Sequence, residues 1–261
     1  LKILILGIIV SAIIANCIIL LSDAHKKHST SLWILNITGA IASSLAIIAV
    51  LRHGIQGLHG KSYLFLMLGL ISWFLADLTL LYYYYAFGIE EQKLVSVSDG
   101  FWFAGYIFFA LHLFTVLRSI LSKIKPGILV LVSIITLFFV TYNVFSISSS
   151  EFLIDVDFAA FVVTIAYPIL DLLLIIPSAA ILVTLRKDYE HSIPWMLSSL
   201  SLLINAIADD GYLNDFVNGN SQNLWMWDLF YITDFIIMAG ALFWYNKFHI
   251  SNELRNARIK L

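Results

Sequence analysis

The chain has 261 residues, of which 61% are hydrophobic and only 12% are charged, and its mean hydropathy is +0.91. A soluble domain is usually about half apolar and about a quarter charged, so this composition excludes an ordinary soluble fold. The 15 Lys and Arg residues and 17 Asp and Glu residues give a formal charge of −2, without the basic excess typical of nucleic-acid binding. The composition therefore predicts a membrane protein that does not bind nucleic acid.

Eight apolar blocks follow one another along the chain. Each is close to the roughly 20 residues that a helix needs to cross about 30 Å of hydrocarbon. The blocks do not alternate in polarity as barrel strands do, so they predict helices. The predicted spans are residues 1–21, 32–51, 62–87, 101–121, 127–147, 158–185, 195–217 and 229–249. We therefore expect an all-α integral membrane protein with eight transmembrane helices.

Lys and Arg residues are distributed unevenly between the two ends of these spans. The segments that follow even-numbered spans hold Arg52, Lys61, Arg118, Lys123, Lys125, Arg186, Lys187, Lys247, Arg255, Arg258 and Lys260. The opposite connections hold only Lys26, Lys27 and Lys93. Because short cytoplasmic loops are enriched in Lys and Arg, we expect a cell-membrane protein with both termini in the cytoplasm. Residues 250–261 are expected to form a basic cytoplasmic helix.

Aromatic residues cluster near the predicted outer boundary, where amphipathic rings prefer lipid headgroups. The densest group is the run of four tyrosines at residues 82–85. Two interpretations stay open for this run. It is either part of an interfacial belt or a cage that binds a cation through its ring faces.

Short motifs recur about 130 residues apart. Ala76-Asp77 late in the third span recurs as Ala208-Asp209 in the seventh, and Asp99 at the start of the fourth recurs as Asp228 at the start of the eighth. Because each half holds four spans, both halves enter the membrane in the same direction. This predicts a parallel repeat about an axis along the membrane normal, with halves at residues 1–125 and 126–249.

Acidic residues inside or beside the predicted spans carry the clearest functional signal. A carboxylate at a helix centre costs about 2.5–3.5 kcal/mol on insertion scales, so such residues usually face the bundle interior or a wet cavity. The predicted ligand-binding residues are Asp77, Asp99, Asp171, Asp209, Asp210, Asp228, Tyr231 and Asp234. We expect them to line a cavity open to the outside, with a purely structural polar network as the alternative.

Neighbours on the same helix are the predicted hydrogen-bond partners of several of these carboxyls. The predicted pairs are Asn205 with Asp209, Asn214 with Asp210, Tyr231 with Asp228 and Asp234, and Tyr106 with Asp99. Such pairs satisfy buried carboxyls without a ligand.

Two histidines in the first outer connection point to a metal. His25 and His28 are three residues apart, a spacing that metal sites use. A metal cation is therefore the candidate cofactor.

Prolines in the sixth span predict a kinked helix. Pro168 precedes Asp171 by three residues, and Pro177 follows it. Prolines inside a helix free backbone carbonyls, here at mid-membrane, where another helix, water or an ion must meet them. Transporters use broken helices in this way, and so do many receptors.

The combination of these motifs resembles a known class of input region. The motifs that carry the resemblance are Asp77, Asp99, Tyr167-Pro-x-x-Asp171, Asp209 and Asp228. They resemble the multi-span membrane sensor regions found ahead of GGDEF-type diguanylate cyclases and histidine kinases, over most of the chain from the third span onward. The resemblance implies an input domain that senses a ligand, an ion or a membrane state and relays it through the last helix.

Three functions are compatible with these features. The first is a membrane-embedded sensor or cation-binding subunit with an outward-facing acidic cavity, whose partners are the lipid bilayer and a cytoplasmic signalling protein or other membrane subunits. The second is a secondary transporter or proton-coupled carrier that uses Asp171. The third is a metal-dependent membrane enzyme that uses Asp residues with His25 or His28, although the expected metal ligands are sparse.

Overall fold

The computed structural model describes residues 1–88, 95–149, 158–186, 189–219 and 224–249. Regular secondary structure in these ranges is helical throughout, which confirms the all-α prediction. The long helices are α1 (Lys2–Leu21), α2 (Lys27–His53), α3 (Gly57–Phe87), α4 (Val97–Ile120), α5 (Pro126–Ser148), α6 (Phe158–Leu185), α7 (Tyr189–Val217) and α8 (Trp225–Trp244). The predicted tail at residues 250–261 lies outside the described residues, as do Lys93 and Lys187.

Short helical turns complete three of these elements. Ala24–Lys26 is a 3₁₀ turn before α2, and Leu121–Lys123 is another after α4. Tyr245–His249 continues α8 as a π-helical turn. The sixth helix runs through both Pro168 and Pro177 as one α-helix, and the predicted kink stays a prediction.

Among the described residues, seven of these helices are long and apolar enough to cross a membrane. The remaining helix, α7, has 29 residues and carries three Asp residues in its last three turns. Several helices begin earlier than the predicted spans: α2 starts at Lys27 and α3 at Gly57, rather than at residues 32 and 62. The physical reason is that apolar patterning marks only the hydrophobic part of a helix, whereas backbone hydrogen bonding continues through its polar ends.

Six helices pack as a closed ring. Around the ring, α2 contacts α3, α3 contacts α4, α4 contacts α6, α6 contacts α7, α7 contacts α8, and α8 returns to α2. The two remaining helices lie outside it: α1 packs on α8 and α2, and α5 packs on α6 and α7. Both outer helices expose large apolar side chains, such as Ile3 on α1 and Phe138 on α5. The first helix of each predicted half therefore lies outside the ring, and the two contact different neighbours: α1 packs mainly on α8, and α5 mainly on α6.

Neighbouring helices of the ring pack closely where a glycine contacts an indole side chain. A Cβ at Gly105 of α4 would come within 2.2 Å of the Trp73 indole of α3, and one at Gly211 of α7 within 2.1 Å of the Trp227 indole of α8. Small residues allow helices to approach in this way, which is a common basis of helix association in membranes. These contacts fix the indole of Trp73 against the interior of the ring.

The two ends of the ring differ in charge. One end carries the connections from α1 to α2, α3 to α4 and α7 to α8, and we call it the cavity end. The other end, the basic end, carries most of the described Lys and Arg residues, among them Arg52, Lys61, Arg118, Lys123, Lys125, Arg186 and Lys247. There, the Arg52 guanidinium at the end of α2 donates to the backbone oxygen of Asn246 at 2.6 Å. This bond ties α2 to the turn that continues α8.

Candidate ligand cavity

A cavity of about 1110 Å³ opens at the cavity end and is lined by all six ring helices. Five of the eight ligand-binding residues predicted from the sequence line it: Asp77, Asp99, Asp209, Asp228 and Tyr231. The other three, Asp171, Asp210 and Asp234, are buried in the protein and do not line the cavity. Most of the residues predicted from the sequence therefore share the cavity wall, and three lie elsewhere.

Two carboxyls inside helices line the cavity together with an aromatic side chain of the next helix. Asp77 of α3 shares the wall with Trp102 of α4. Asp209 of α7 shares it with Tyr231 of α8, whose hydroxyl donates a hydrogen bond to the Asp209 carboxyl at 2.7 Å. Each predicted half thus contributes one aspartate and one aromatic residue to the wall.

Two further carboxyls lie in the first turns of α4 and α8 and are bonded to the neighbouring helix of the other half. Asp99 accepts from the Ser96 backbone N–H at 2.7 Å and from the Tyr167 hydroxyl of α6 at 2.5 Å. Asp228 of α8 accepts a hydrogen bond from the Ser31 hydroxyl of α2. A carboxylate is favourable at a helix N-terminus because the helix dipole and free backbone N–H groups face it. These two contacts join the helices of one half to those of the other.

A second polar layer lies beneath the cavity. The Tyr106 hydroxyl contacts Asp171 Oδ1 at 2.8 Å and also contacts Asp209 Oδ2. A tyrosine hydroxyl has one proton, so it donates to one carboxyl and accepts from the other, which must then carry a proton. Tyr106 therefore connects the cavity wall to the deeper Asp171.

Asp210 and part of Asp171 have no hydrogen-bond partner among the described residues. Both carboxyl oxygens of Asp210 and Oδ2 of Asp171 are buried and unpaired. A buried carboxylate without a partner is costly, so neutral, protonated side chains are the form that this layer tolerates. The predicted role of these two residues as ligand contacts stays a prediction.

Asp234 is held in a compact buried network. Its two carboxyl oxygens accept from the Ser201 hydroxyl at 2.8 Å and from the Asn205 amide at 2.6 Å. Both partners lie on α7, so the network fastens α8 to α7. For this residue the structure favours the structural alternative.

Several predicted same-helix pairs are wrong. Asn205 bonds Asp234 rather than Asp209, Tyr231 bonds Asp209, and Tyr106 bonds Asp171 and Asp209. Asn214 accepts from Ser146 and Asn218. The physical reason is that residues three or four apart share a helix face, and on a packed face the neighbouring helix presents closer groups. The Tyr167 contact with Asp99 was missed for the same reason.

Positive charge is scarce in the cavity wall. Among the described residues that line it, Lys27 is the only Lys or Arg. Its ammonium lies over the Trp225 ring, 4.2 Å from the centroid. The four lining carboxyls therefore greatly outnumber the fixed cations that face them.

The two histidines of the first connection lie in different environments. His28 lines the cavity and packs edge-on against Tyr84, with ring centroids 5.5 Å apart, whereas His25 is exposed. No group of three or more His, Cys, Asp and Glu residues in the described ranges is arranged to hold a metal ion. The predicted metal site at His25 and His28 stays without structural support.

The four tyrosines at residues 82–85 also lie in two different environments. Tyr83 and Tyr84 line the cavity, while Tyr82 and Tyr85 are exposed. Tyr85 accepts a hydrogen bond from the Trp33 indole at 2.7 Å. Two of the four rings thus fit the belt interpretation and two are positioned at the cavity.

No protein-family model, curated protein or solved structure matches this chain. The cavity and its side chains are therefore the basis of the proposed function.

Proposed function

We propose that this chain is a multi-pass membrane sensor or ligand-binding subunit whose cavity opens to the outer side of the membrane and binds a cationic ligand. In this proposal all eight helices span the membrane and both termini are cytoplasmic, because the basic end fits the side where Lys and Arg are enriched. The observation that carries it is the cavity itself, which places four carboxyls against one lysine. Unneutralised carboxylates in a low-dielectric bundle favour a bound cation.

The contact pattern supports the parallel repeat within this proposal. In each half, an aspartate of the third helix and an aromatic residue of the fourth line the cavity together: Asp77 with Trp102, and Asp209 with Tyr231. The aspartates that open α4 and α8 each bond the second helix of the other half, through Tyr167 and Ser31. A cavity on the pseudo-twofold axis would receive equivalent groups from both halves in this way.

A route for signal transmission runs along α8. Its first two turns supply Trp225, Asp228 and Tyr231 to the cavity, and its far end is tied to α2 through Arg52 and Asn246. A ligand that changes the contacts of α8 at the cavity would change its position at the basic end. This is the arrangement that the resemblance to cyclase and kinase input regions implies, with a cytoplasmic signalling protein or another membrane subunit as the partner.

Thiol accessibility tests the outward-facing cavity. In a Cys17→Ala background, Leu80→Cys places a thiol in the cavity wall one turn from Asp77. In right-side-out vesicles we expect a membrane-impermeant cationic methanethiosulfonate to label this thiol about 10-fold or more faster than its anionic analogue, because an acidic cleft concentrates cations.

Two control positions complete the test. Leu78→Cys lies on another, exposed face of α3 and should stay unlabelled by either reagent, since that face contacts lipid. Leu58→Cys, exposed at the basic end, should be labelled only when the vesicles are inverted. Failure of Leu80→Cys to react from outside, or labelling of Leu58→Cys from outside, would refute the proposal.

The Tyr106 bridge favours a second candidate, a proton-coupled carrier. Tyr106 links the cavity carboxyl Asp209 to Asp171, which lies deeper in the ring. Ser178 lies two turns further along α6, about 10 Å nearer the basic end, and is fully buried. A carrier exposes this position to each side in turn, so Ser178→Cys would react from both sides. A sensor with a closed floor leaves it unreactive.

A further inference from the structure

The cavity carboxyls are contributed by several helices. Asp77, Asp99, Asp209 and Asp228 come from four different helices, α3, α4, α7 and α8. Repulsion acts among them, since Asp77 interacts unfavourably with both Asp228 and Asp209. No three of them converge as ligands of one metal ion. An occupant that relieves this repulsion needs positive charge at more than one place.

An unpaired acceptor lies in the same wall. Asn205 is 4% exposed and lines the cavity, and its amide nitrogen is taken by Asp234. Its Oδ1 has no donor among the described residues. A buried amide oxygen without a partner costs free energy, and an N–H group of a bound molecule is the missing complement. Asn205 is not acidic, so it points to a ligand independently of the carboxyls.

Aromatic rings share the cavity wall with the carboxyls. Trp73, Trp102, Tyr106 and Tyr231 all line the cavity, and Trp73 is fixed by its contact with Gly105 and by its hydrogen bond to the Trp102 carbonyl oxygen at 3.2 Å. Ring faces attract ammonium groups and also pack against methylene chains. A hydrated metal ion uses neither property, whereas an organic amine uses both.

We propose that the occupant is a linear organic cation with at least two amino groups joined by a methylene chain, one group held by the carboxyls of each half. This inference rests on the proposed function and specifies the ligand of the same cavity. One ammonium lies at Asp77 and the other at Asp209, and the chain between them lies on the aromatic wall. The cavity volume of about 1110 Å³ leaves room for an extended chain together with water.

The test compares two probes on the full chain in nanodiscs. Diaminohexane and hexylamine have the same chain length and differ by one amino group. We expect diaminohexane to bind about 10- to 100-fold more tightly in calorimetric titrations, because its second ammonium gains a second charged hydrogen bond. Equal affinity for the two probes, or no binding of diaminohexane, would overturn the proposal. This comparison uses the unmodified protein, so it does not depend on whether a variant folds.

Paired variants locate the two contacts. Asp77→Asn and Asp209→Asn should each lower the affinity for diaminohexane about 10-fold or more, to near that of hexylamine. Asp23→Asn is the matched control, since this exposed residue pairs with Lys26 outside the cavity at 3.6 Å. It should leave the affinity within about threefold. If Asp23→Asn weakens binding as much as the cavity variants do, the probes bind by surface charge alone and the assignment fails.

The thiol experiment distinguishes failure of the diamine proposal from failure of the outward-facing cavity. Labelling of Leu80→Cys from outside without diaminohexane binding would leave an outward-facing cavity and remove the diamine. Absence of labelling would remove the cavity and the diamine together.

Discussion

Asp77 and Asp234 are equally inaccessible, at 4% and 1% exposure, yet their surroundings differ. Asp234 receives a donor on each carboxyl oxygen from α7, so both oxygens are satisfied within the protein. Asp77 lies at the cavity wall, where other carboxyls repel it. Burial alone therefore does not distinguish a structural carboxyl from one that contacts a ligand. The distinguishing property is whether the carboxyl lines the cavity, as Asp77 and Asp209 do and Asp234 does not.

The largest effect is expected from removing the Asp234 carboxyl. Asp234→Ala leaves the Asn205 amide nitrogen and the Ser201 hydroxyl without their carboxyl acceptor, which should cost about 2–4 kcal/mol of stability. Asp77→Ala should cost less than about 1 kcal/mol, because the change removes a carboxyl at the cavity wall together with its repulsion from Asp228 and Asp209. Thermal unfolding of the two variants in detergent measures the difference. Equal destabilisation of both would show that Asp77 is as structural as Asp234.

The sequence predicted the fold class and much of the cavity. Apolar blocks of span length placed all eight helices, because exclusion of polar groups from hydrocarbon leaves a strong one-dimensional signal. Asp77, Asp99, Asp209 and Asp228 were identified because intramembrane carboxyls are rare and costly. Their convergence on one cavity depends on which helices are neighbours in the ring, and that information is not periodic along the chain.

The hydrogen-bond partners were the part that sequence reasoning failed to find. Spacing along one helix predicted Asn205 for Asp209, whereas the structure pairs Asn205 with Asp234 on α8. Tyr167 and Asp99 are 68 residues apart and still form a direct bond. Such pairs are set by helix order and rotation. The recurrence of Asp77 as Asp209 and of Asp99 as Asp228 was the one signal that could have pointed to matching contacts in the two halves.

A smaller effect is expected where the cavity wall is packed against glycine. Gly105→Ala drives a methyl group into the Trp73 indole, whose contact distance of 2.2 Å leaves no room for it. Overpacking of this kind costs about 1–3 kcal/mol and should also move Trp73 toward the cavity. The Asp234 network is on other helices and should keep its contacts. The readouts are thermal unfolding and the labelling rate of Leu80→Cys, which should fall.

The control for this change lies on the same helix. Nothing is within 4 Å of a Cβ at Gly100, so Gly100→Ala should leave the labelling rate unchanged and keep or slightly raise stability. If Gly105→Ala behaves like Gly100→Ala, the indole is not a fixed part of the wall.

The smallest effect is expected at Asp99, which combines both kinds of environment. It lines the cavity, yet its Oδ2 accepts from Ser96 and its Oδ1 from Tyr167. Tyr167→Phe removes one of these donors and leaves the Ser96 cap in place, so we expect a loss of about 1 kcal/mol. Tyr142→Phe, on the exposed face of α5, should cost nothing measurable and serves as the control. Tyr167→Phe could instead lose as much stability as Asp234→Ala. The bond from α6 to α4 would then stabilise the ring as much as the Asp234 network does. Asp99 would in that case be a structural carboxyl.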